Sequence, residues 1–170
     1  HGLTSGELAL MFREELALDV DLQVVPMKGW RRRMAYEDTG LPWVLPSPNI
    51  PSVDTAFVYP GGCLVEGTNL SEGRGTTRPF ELVGAPWLDG DTLARALDRE
   101  RIPGAGFRAA AFTPTFHKHA GLLCHGVQVH VADRRRFPAF LTYLLLVHHA
   151  RRQDPERFAW RDPPYEYEYV

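Results

Sequence analysis

Residues 66–80, EGTNLSEGRGTTRPF, concentrate the polar side chains that could carry out chemistry in this chain. Two carboxylates, Glu66 and Glu72, lie six residues apart, and Arg74 follows the second one. Hydrolysis of a glycosidic bond uses such groups, because one carboxylic acid protonates the leaving oxygen while a second group stabilises or traps the oxocarbenium-like centre. The segment therefore predicts Glu66 and Glu72 as candidate catalytic residues.

The two glutamates are predicted to differ in their surroundings and roles. Glu66 lies at the end of a predicted buried strand, 63–67, where loss of water would favour the protonated acid. Glu72 lies in a loop, where the guanidinium of Arg74 would keep it ionised. We favour Glu66 as the catalytic carboxylate, because a strand end holds its geometry better than a loop does. The alternatives are that Glu66 caps a backbone or forms an ion pair, and that Glu-Gly-Arg is a tight turn.

Side chains near the two glutamates could bind a sugar. Hydroxyl, amide and guanidinium groups can bond to sugar hydroxyls or to an amide, and aromatic rings can form an apolar wall against a sugar face. The polar candidates are Thr68, Asn69, Ser71, Arg74 and Asn49. The aromatic candidates are Trp43, Phe80 and Trp87. The alternatives are that the tryptophans belong to the core and that Asn49, in a Pro-rich segment, forms a turn.

The histidines raise the question of a metal site. His117 and His119 flank a lysine, and His125 and His130 follow, but this spacing matches no common zinc pattern. His125 and His130 also differ by an odd number of residues, which puts them on opposite faces of a strand. The Gly-rich segment 66–80 is not a phosphate-binding loop either, because no glycine in it is followed by Lys and then Ser or Thr. We therefore predict neither a metal site nor a cofactor.

The order of predicted elements indicates an α+β fold, with a mixed, mainly antiparallel sheet, helices packed on it and long irregular loops. Capping signals such as Thr4 with Glu7, and apolar positions at helical spacing, indicate helices. Alternating apolar residues such as those at 127–131 indicate strands. The predicted helices are 4–16, 52–62, 89–100 and 135–152, and the predicted strands are 21–27, 63–67, 80–87, 106–116 and 121–133. The last four strands are predicted to share one sheet, to which the tail 160–170 could add a strand.

The composition excludes several classes of protein. The length of 170 residues suits one domain, and 44% apolar and 24% charged residues are ordinary globular values. A net charge of −2 gives no basic excess, so nucleic acid is not predicted as a partner. The longest apolar run, 137–147, is too short to span a bilayer. Cys63 and Cys124 are interpreted as free thiols rather than as a disulfide, although a disulfide would suit an exported protein.

Four segments carry a resemblance to a known family. In chain order they are HGLTSGELA, LPWVLPSPNIPSVDTAFVYPG, EGTNLSEGRGTTRPFELVGAPW and CHGVQVHVAD. They resemble the exo-β-N-acetylmuramidases, a bacterial family long known only as a domain of unknown function. The resemblance implies a glycoside hydrolase that releases N-acetylmuramic acid from the non-reducing ends of peptidoglycan fragments during cell-wall recycling. Many members carry export signals, which implies a periplasmic or extracellular location.

The resemblance also implies a domain organisation. Full-length relatives pair an N-terminal Rossmann-like domain with a C-terminal domain, and the active cleft lies between them. Residues 1–170 resemble the C-terminal domain, so we expect a single domain whose partners are the absent N-terminal domain and muramyl glycans. Because the N-terminal domain supplies part of the catalytic machinery, the activity of this chain alone stays open.

Two alternatives to a catalytic role remain, and one further partner is predicted. The chain could be a non-catalytic glycan-binding module, or an interdomain module in which Arg74 and Glu72 pair across the domain boundary. If the docking surface is bare, Trp43, Phe80 or Trp87 would line an apolar patch through which the chain could form a homodimer.

Overall fold

A computed structural model describes residues 2–162 of the chain. These residues fall into two compact units, His1–Leu41 and Pro42–Val170, and each is described here by itself. All of the buried hydrophobic core belongs to the second unit. The prediction that residues 1–170 form one domain stays a prediction.

The first unit contains helix α1, Ser5–Glu15, and a short 3-10 helix, Tyr36–Thr39. The predicted capping box is present: the Thr4 hydroxyl accepts a hydrogen bond from the Glu7 amide at 3.2 Å, and the Glu7 carboxylate accepts one from the Thr4 amide at 2.7 Å. The helix predicted at 4–16 is thereby confirmed. Its apolar stripe nevertheless stays largely exposed, as Phe12 and Leu16 show.

The strand predicted at 21–27 is wrong. Residues 16–35 of the described chain contain neither helix nor strand. A strand needs a neighbour with which to exchange backbone hydrogen bonds, and residues 2–41 contain no other strand to provide them. Pro26 removes a further donor.

The second unit begins with a Pro-rich segment, residues 42–51, which is followed by helix α2, Val53–Gly62. The Ser52 hydroxyl caps this helix by accepting a hydrogen bond from the Thr55 amide at 3.1 Å, as the sequence predicts. Gly61 lies directly beneath a later helix, and a Cβ at this position would come within 2.1 Å of the Ala139 carbonyl oxygen. The glycine therefore permits close helix packing.

The segment predicted as a buried strand, 63–67, is instead a 3-10 helix, Cys63–Gly67, that continues directly from α2. The dihedral angles of Cys63, φ −60° and ψ −22°, are helical, so the two preceding glycines do not end the helical conformation. Val65 is buried and Glu66, one residue later, is half-buried. Val65 is therefore buried by a helical turn, without any residue of 63–67 joining the sheet.

The sheet has three antiparallel strands in the order β1-β3-β2. The strands are β1, Leu82–Ala85, β2, Ala105–Phe112, and β3, Cys124–Val131. Three of the four strands predicted for this sheet are therefore confirmed, with shorter bounds. Val83 pairs with Val127, and Phe107 pairs with Val129.

Two more helices complete an α+β fold, as predicted. Helix α3, Gly90–Arg99, is capped by Asp89 and contacts β2 and β3. Helix α4, Ala139–Gln153, begins four residues later than predicted and packs against α2 and α3. Its buried residues Tyr143, Leu146 and Val147 join the core that also contains the valines of β3.

The predicted aromatic patch is wrong for one of its three members. Phe80 is buried in the core at 1% exposure, whereas Trp43 and Trp87 are half-buried. Exposed apolar side chains lie instead on α4, at Phe140, Leu141 and Leu144. The homodimer stays a prediction.

Three further features concern the cysteines, the tail and membranes. Cys63 and Cys124 are both free thiols, half-buried and buried respectively. Of the tail predicted as a possible strand, Trp160 forms a single antiparallel bridge with Thr68, and residues 163–170 lie outside the described part of the chain. Among residues 2–162, no helix combines the length and apolar character needed to cross a bilayer.

Candidate functional site

The polar segment 66–80 is an irregular loop fixed at several points. Ser71 exchanges two backbone hydrogen bonds with Gly84 of β1, at 2.8 and 3.0 Å. The Asn69 amide donates to the Ala159 carbonyl at 2.9 Å. Farther on, the Gly75 carbonyl accepts from the backbone amide and the hydroxyl of Thr115, at 3.0 and 2.9 Å. The loop is therefore held in one conformation by three separate parts of the second unit.

Glu72 is fully buried at the centre of this loop. Its Oε1 lies 3.1 Å from Nε of Arg74 and 3.0 Å from Nδ1 of His117, and its Oε2 lies 2.8 Å from Nζ of Lys118. A buried carboxylate is costly unless charged partners compensate it. The two cations supply that compensation, so Glu72 acts as the anionic centre of the cluster.

Glu66 joins the same cluster from the 3-10 helix. Nη2 of Arg74 lies 2.5 Å from Oε1 of Glu66, so one guanidinium contacts both glutamates. The side chain of Glu66 keeps 16% of its exposure and that of Arg74 keeps 21%. The structure thus brings together the three charged residues that the sequence singled out, and it leaves Glu66 the more accessible of the two carboxylates.

This geometry bears on the interdomain alternative. Arg74 and Glu72 contact each other within one loop, at 3.1 Å. The alternative in which they pair across a domain boundary stays a prediction.

The ring of Phe80 packs against the guanidinium of Arg74 in this cluster. The Arg74 guanidinium lies 5.2 Å from the centroid of the Phe80 ring, and the Tyr59 ring meets the same ring edge-on at 4.9 Å. Phe80 has a φ of +63°, which is uncommon for a residue with a side chain, and its carbonyl accepts a hydrogen bond from the Tyr143 hydroxyl. The sequence suggested that Phe80 offers a ring face to a sugar. Because Phe80 is buried, its ring packs under Arg74 instead.

The hydroxyl and amide groups proposed for sugar binding are engaged in holding the loop. The Thr68 hydroxyl donates to the Val65 carbonyl at 2.8 Å, and the Ser71 hydroxyl accepts from the Gly73 amide at 3.1 Å. The Asn69 side chain donates to the Arg157 carbonyl at 2.7 Å and accepts from the Ala159 amide at 3.0 Å. The role of these side chains in substrate binding stays a prediction.

Trp43 and Asn49 lie in the Pro-rich segment and are half-buried. The backbone amide of Asn49 donates to the Ser47 hydroxyl at 3.3 Å, which agrees with a turn. Their proposed contacts with a sugar also stay predictions.

Sequence reasoning missed the contribution of the His-Lys-His triplet. His117 and Lys118 contact Glu72, and Nε2 of His119 lies 2.7 Å from the Asn69 carbonyl oxygen. Both histidines have positive φ values, +70° and +57°. Strained backbone of this kind clusters at functional sites. In the sequence, the His-Lys-His triplet raised only the question of a metal site. Its carboxylate partner, Glu72, lies more than 40 residues earlier, so the sequence did not indicate their contact.

Lys118 is held most firmly of the three. Its ammonium lies 2.8–2.9 Å from the backbone carbonyls of Val65, Thr68 and Leu70, in addition to Glu72. Burial lowers the pKa of Lys118, and the charge of Glu72 opposes this shift. The lysine thus connects the buried carboxylate with the backbone that carries Glu66.

Comparisons with known proteins identify the family. The family described as exo-β-N-acetylmuramidase NamZ, C-terminal, matches residues 57–169, and the corresponding N-terminal family matches residues 1–54. The chain is 54% identical over 158 residues to the peptidoglycan β-N-acetylmuramidase NamZ of Bacillus subtilis. This alignment covers 93% of the chain and 38% of the Bacillus protein.

Solved structures agree with the sequence comparison. A DUF1343 family protein of Bacteroides fragilis matches with a TM-score of 0.82 and 38% identity, covering 91% of this chain and 41% of that one. A second DUF1343 family protein of the same organism matches with a TM-score of 0.56 and 29% identity, covering 84% and 44%. The chain thus spans less than half of each relative. The resemblance of the four sequence segments is confirmed, and the chain belongs to the exo-β-N-acetylmuramidase NamZ family.

Proposed function

We propose that the protein containing this chain is a glycoside hydrolase that releases N-acetylmuramic acid from the non-reducing ends of peptidoglycan fragments. The loop 66–80 would contribute Glu66 and Arg74 to its cleft. The observation that carries the proposal is that half-buried Glu66 and fully buried Glu72 share one guanidinium, in a chain whose Bacillus relative is named a peptidoglycan β-N-acetylmuramidase.

The two glutamates have different roles in the proposed site. Glu72 is enclosed by Arg74, His117 and Lys118, so it orients these groups and has no surface to offer a substrate. Glu66 keeps an accessible edge, and it is therefore the carboxylate of this loop that would touch the sugar.

The partner of Glu66 also decides its chemical role. The Arg74 guanidinium forms an ion pair with Glu66 at 2.5 Å. As the accessible carboxylate of that ion pair, Glu66 would stabilise the oxocarbenium-like centre or accept a proton from water, and the acid that protonates the leaving oxygen would come from elsewhere in the protein. The general-acid role that the predicted buried strand suggested for Glu66 is the alternative.

The test is an assay of the whole protein that contains this chain, using a chromogenic N-acetylmuramide and the matching N-acetylglucosaminide. We expect release of the chromophore from the muramide, and a large loss of turnover in Glu66→Gln with little change in folding. Absence of release by the wild-type protein would exclude the proposed activity. Full turnover in both Glu66→Gln and Glu72→Gln would favour the glycan-binding module instead.

A further inference from the structure

Five oxygen atoms converge on the ammonium of Lys118. Four lie within 2.9 Å and one at 3.4 Å, and the lysine side chain is only 10% exposed. The five are the carbonyl oxygens of Val65 at 2.9 Å, Glu66 at 3.4 Å, Thr68 at 2.9 Å and Leu70 at 2.8 Å, and Oε2 of Glu72 at 2.8 Å. The ammonium thus occupies a cage made almost entirely by the turn that connects the two glutamates.

The choice of lysine at this position is specific. Only two of the 19 Lys and Arg residues of the chain are lysines, namely Lys28 and Lys118. An ammonium is a compact charge with three rotatable donors, whereas a guanidinium is a rigid planar fork suited to carboxylates. A cage of converging carbonyl oxygens therefore matches the ammonium better than it matches a guanidinium.

We infer that Lys118 is a positioning residue for the 66–80 loop. It fixes the backbone on both sides of Glu66 and bonds the carboxylate of Glu72, which in turn contacts Arg74. Removing the ammonium would leave four carbonyls and one carboxylate without their shared donor. The loop would then sample other conformations, and Glu66 and Arg74 would lose their alignment. As a statement about turnover, this inference rests on the proposed function.

The experiment compares Lys118→Met with Lys28→Met in the whole protein. Methionine keeps the length of the side chain and removes the charge, and exposed Lys28 provides a matched control in the first unit. We expect Lys118→Met to lower kcat about 100-fold, as small misplacements of reacting groups do, with KM little changed. We expect Lys28→Met to behave as wild type.

A second readout does not depend on activity. Hydrogen exchange of the amides in residues 66–73 should become about 10-fold faster or more in Lys118→Met, while β3 keeps its protection. If the loop of Lys118→Met exchanges at the wild-type rate, the inference is overturned, whether or not the protein is active. Inactivity of the wild-type protein on the muramide would exclude only the proposed function. An unchanged kcat in an active protein would also overturn it, and so would a loss of global stability without a loss of kcat.

Chemical rescue separates the ammonium from the bulk of the side chain. In Lys118→Ala, added ethylammonium should restore part of kcat, whereas tetramethylammonium at the same ionic strength should not, because it has no N–H donor. Lys118→Arg covers the case in which Lys118→Met fails to fold: we expect a folded protein with reduced kcat. Full activity in Lys118→Arg, or equal effects of the two added cations, would overturn the role of the caged ammonium.

Discussion

Among the described residues of the second unit, two glutamates are buried, and their surroundings differ. Glu81 is 4% exposed, and its Oε1 accepts hydrogen bonds from the hydroxyls of Thr55 at 2.7 Å and Ser52 at 3.4 Å, while Arg78 lies 3.3 Å from Oε2. Its hydroxyl partners are at the N-terminus of α2, where a negative charge is favourable. Glu81 therefore has a sufficient structural role in holding the hydroxyls of Ser52 and Thr55 at the start of that helix.

Glu72 is buried to the same degree but is surrounded by charged and titratable side chains from two loops. Arg74 comes from the glutamate's own loop, and His117 and Lys118 come from the loop between β2 and β3. Lys118 of this cluster bonds carbonyls at the end of the 3-10 helix that carries Glu66, and the outer edge of the cluster is the accessible pair of Glu66 and Arg74. We propose from this contrast that Glu81 stabilises the fold and that Glu72 orients the side chains of the candidate site.

The largest effect is expected for Glu72→Gln. The substitution removes the buried anion that compensates two half-buried cations, and breaking a buried ion pair in this way costs about 3–5 kcal/mol. We expect urea unfolding to show a loss of this size, together with a loss of turnover because Arg74 and Lys118 are no longer oriented. Wild-type stability in this variant would show that the cations find other partners and that Glu72 is not the centre of the cluster.

The second effect is expected for Glu66→Gln. The amide keeps the shape of the side chain but carries no charge, so kcat should fall about 100-fold, the usual share of a positioned acid or base. Stability should change by less than about 1 kcal/mol, because the pair with Arg74 is partly solvated. The matched control is Glu100→Gln, which removes a carboxylate that lies 2.8 Å from Nε2 of His149 elsewhere on the surface. If Glu66→Gln stays active while Glu72→Gln alone loses kcat in folded protein, the two roles are reversed.

A smaller effect is expected for Glu81→Gln. Its partners are mainly hydroxyls, and glutamine can still accept their hydrogen bonds, so the loss should be about 1–2 kcal/mol, that of a weakened buried hydrogen bond. Turnover per folded molecule should equal that of wild type. A loss as large as that of Glu72→Gln, or a clear fall in kcat, would remove the distinction between the two buried glutamates.

The same contrast explains what the sequence could predict. The capping signals at Thr4, Ser52 and Asp89 are local, and the three helices that they begin were predicted with nearly correct bounds. The alternation in β3 is also local. The run 63–67 was misassigned because a short apolar run is compatible with either a strand or a helical turn.

The site was only half predictable for a related reason. Glu66, Glu72 and Arg74 lie within nine residues, so their proximity could be read from the sequence. The contacts with His117 and Lys118 depend on how the loop between β2 and β3 folds back, which no local pattern specifies. The irregular conformation of that loop, with two histidines at positive φ, follows from tertiary contacts rather than from propensity.

The smallest expected effect concerns Glu7, whose side chain is 42% exposed, so the comparison extends to a largely solvated carboxylate. A hydrogen bond from Arg32 at 2.5 Å, followed by the capping bond from the Thr4 amide, lowers the pKa of Glu7 from 4.5 to about 2. Because the pKa is lower in the folded than in the unfolded state, the contribution of Glu7 to stability is complete above pH 4.5 and is lost as the pH falls toward 2.

The measurement is a pH titration of the Glu7 side-chain carbon by NMR, in wild type and in Arg32→Met. We expect the pKa of Glu7 to move back toward 4.5 in Arg32→Met, since Arg32 is the largest cause of the shift. A residual depression should persist, because the Thr4 amide still donates to the carboxylate. An unchanged pKa in Arg32→Met would assign the whole shift to the capping box. A low pKa that also survives in 1 M salt would argue against a charge interaction, because an exposed ion pair is screened at that ionic strength.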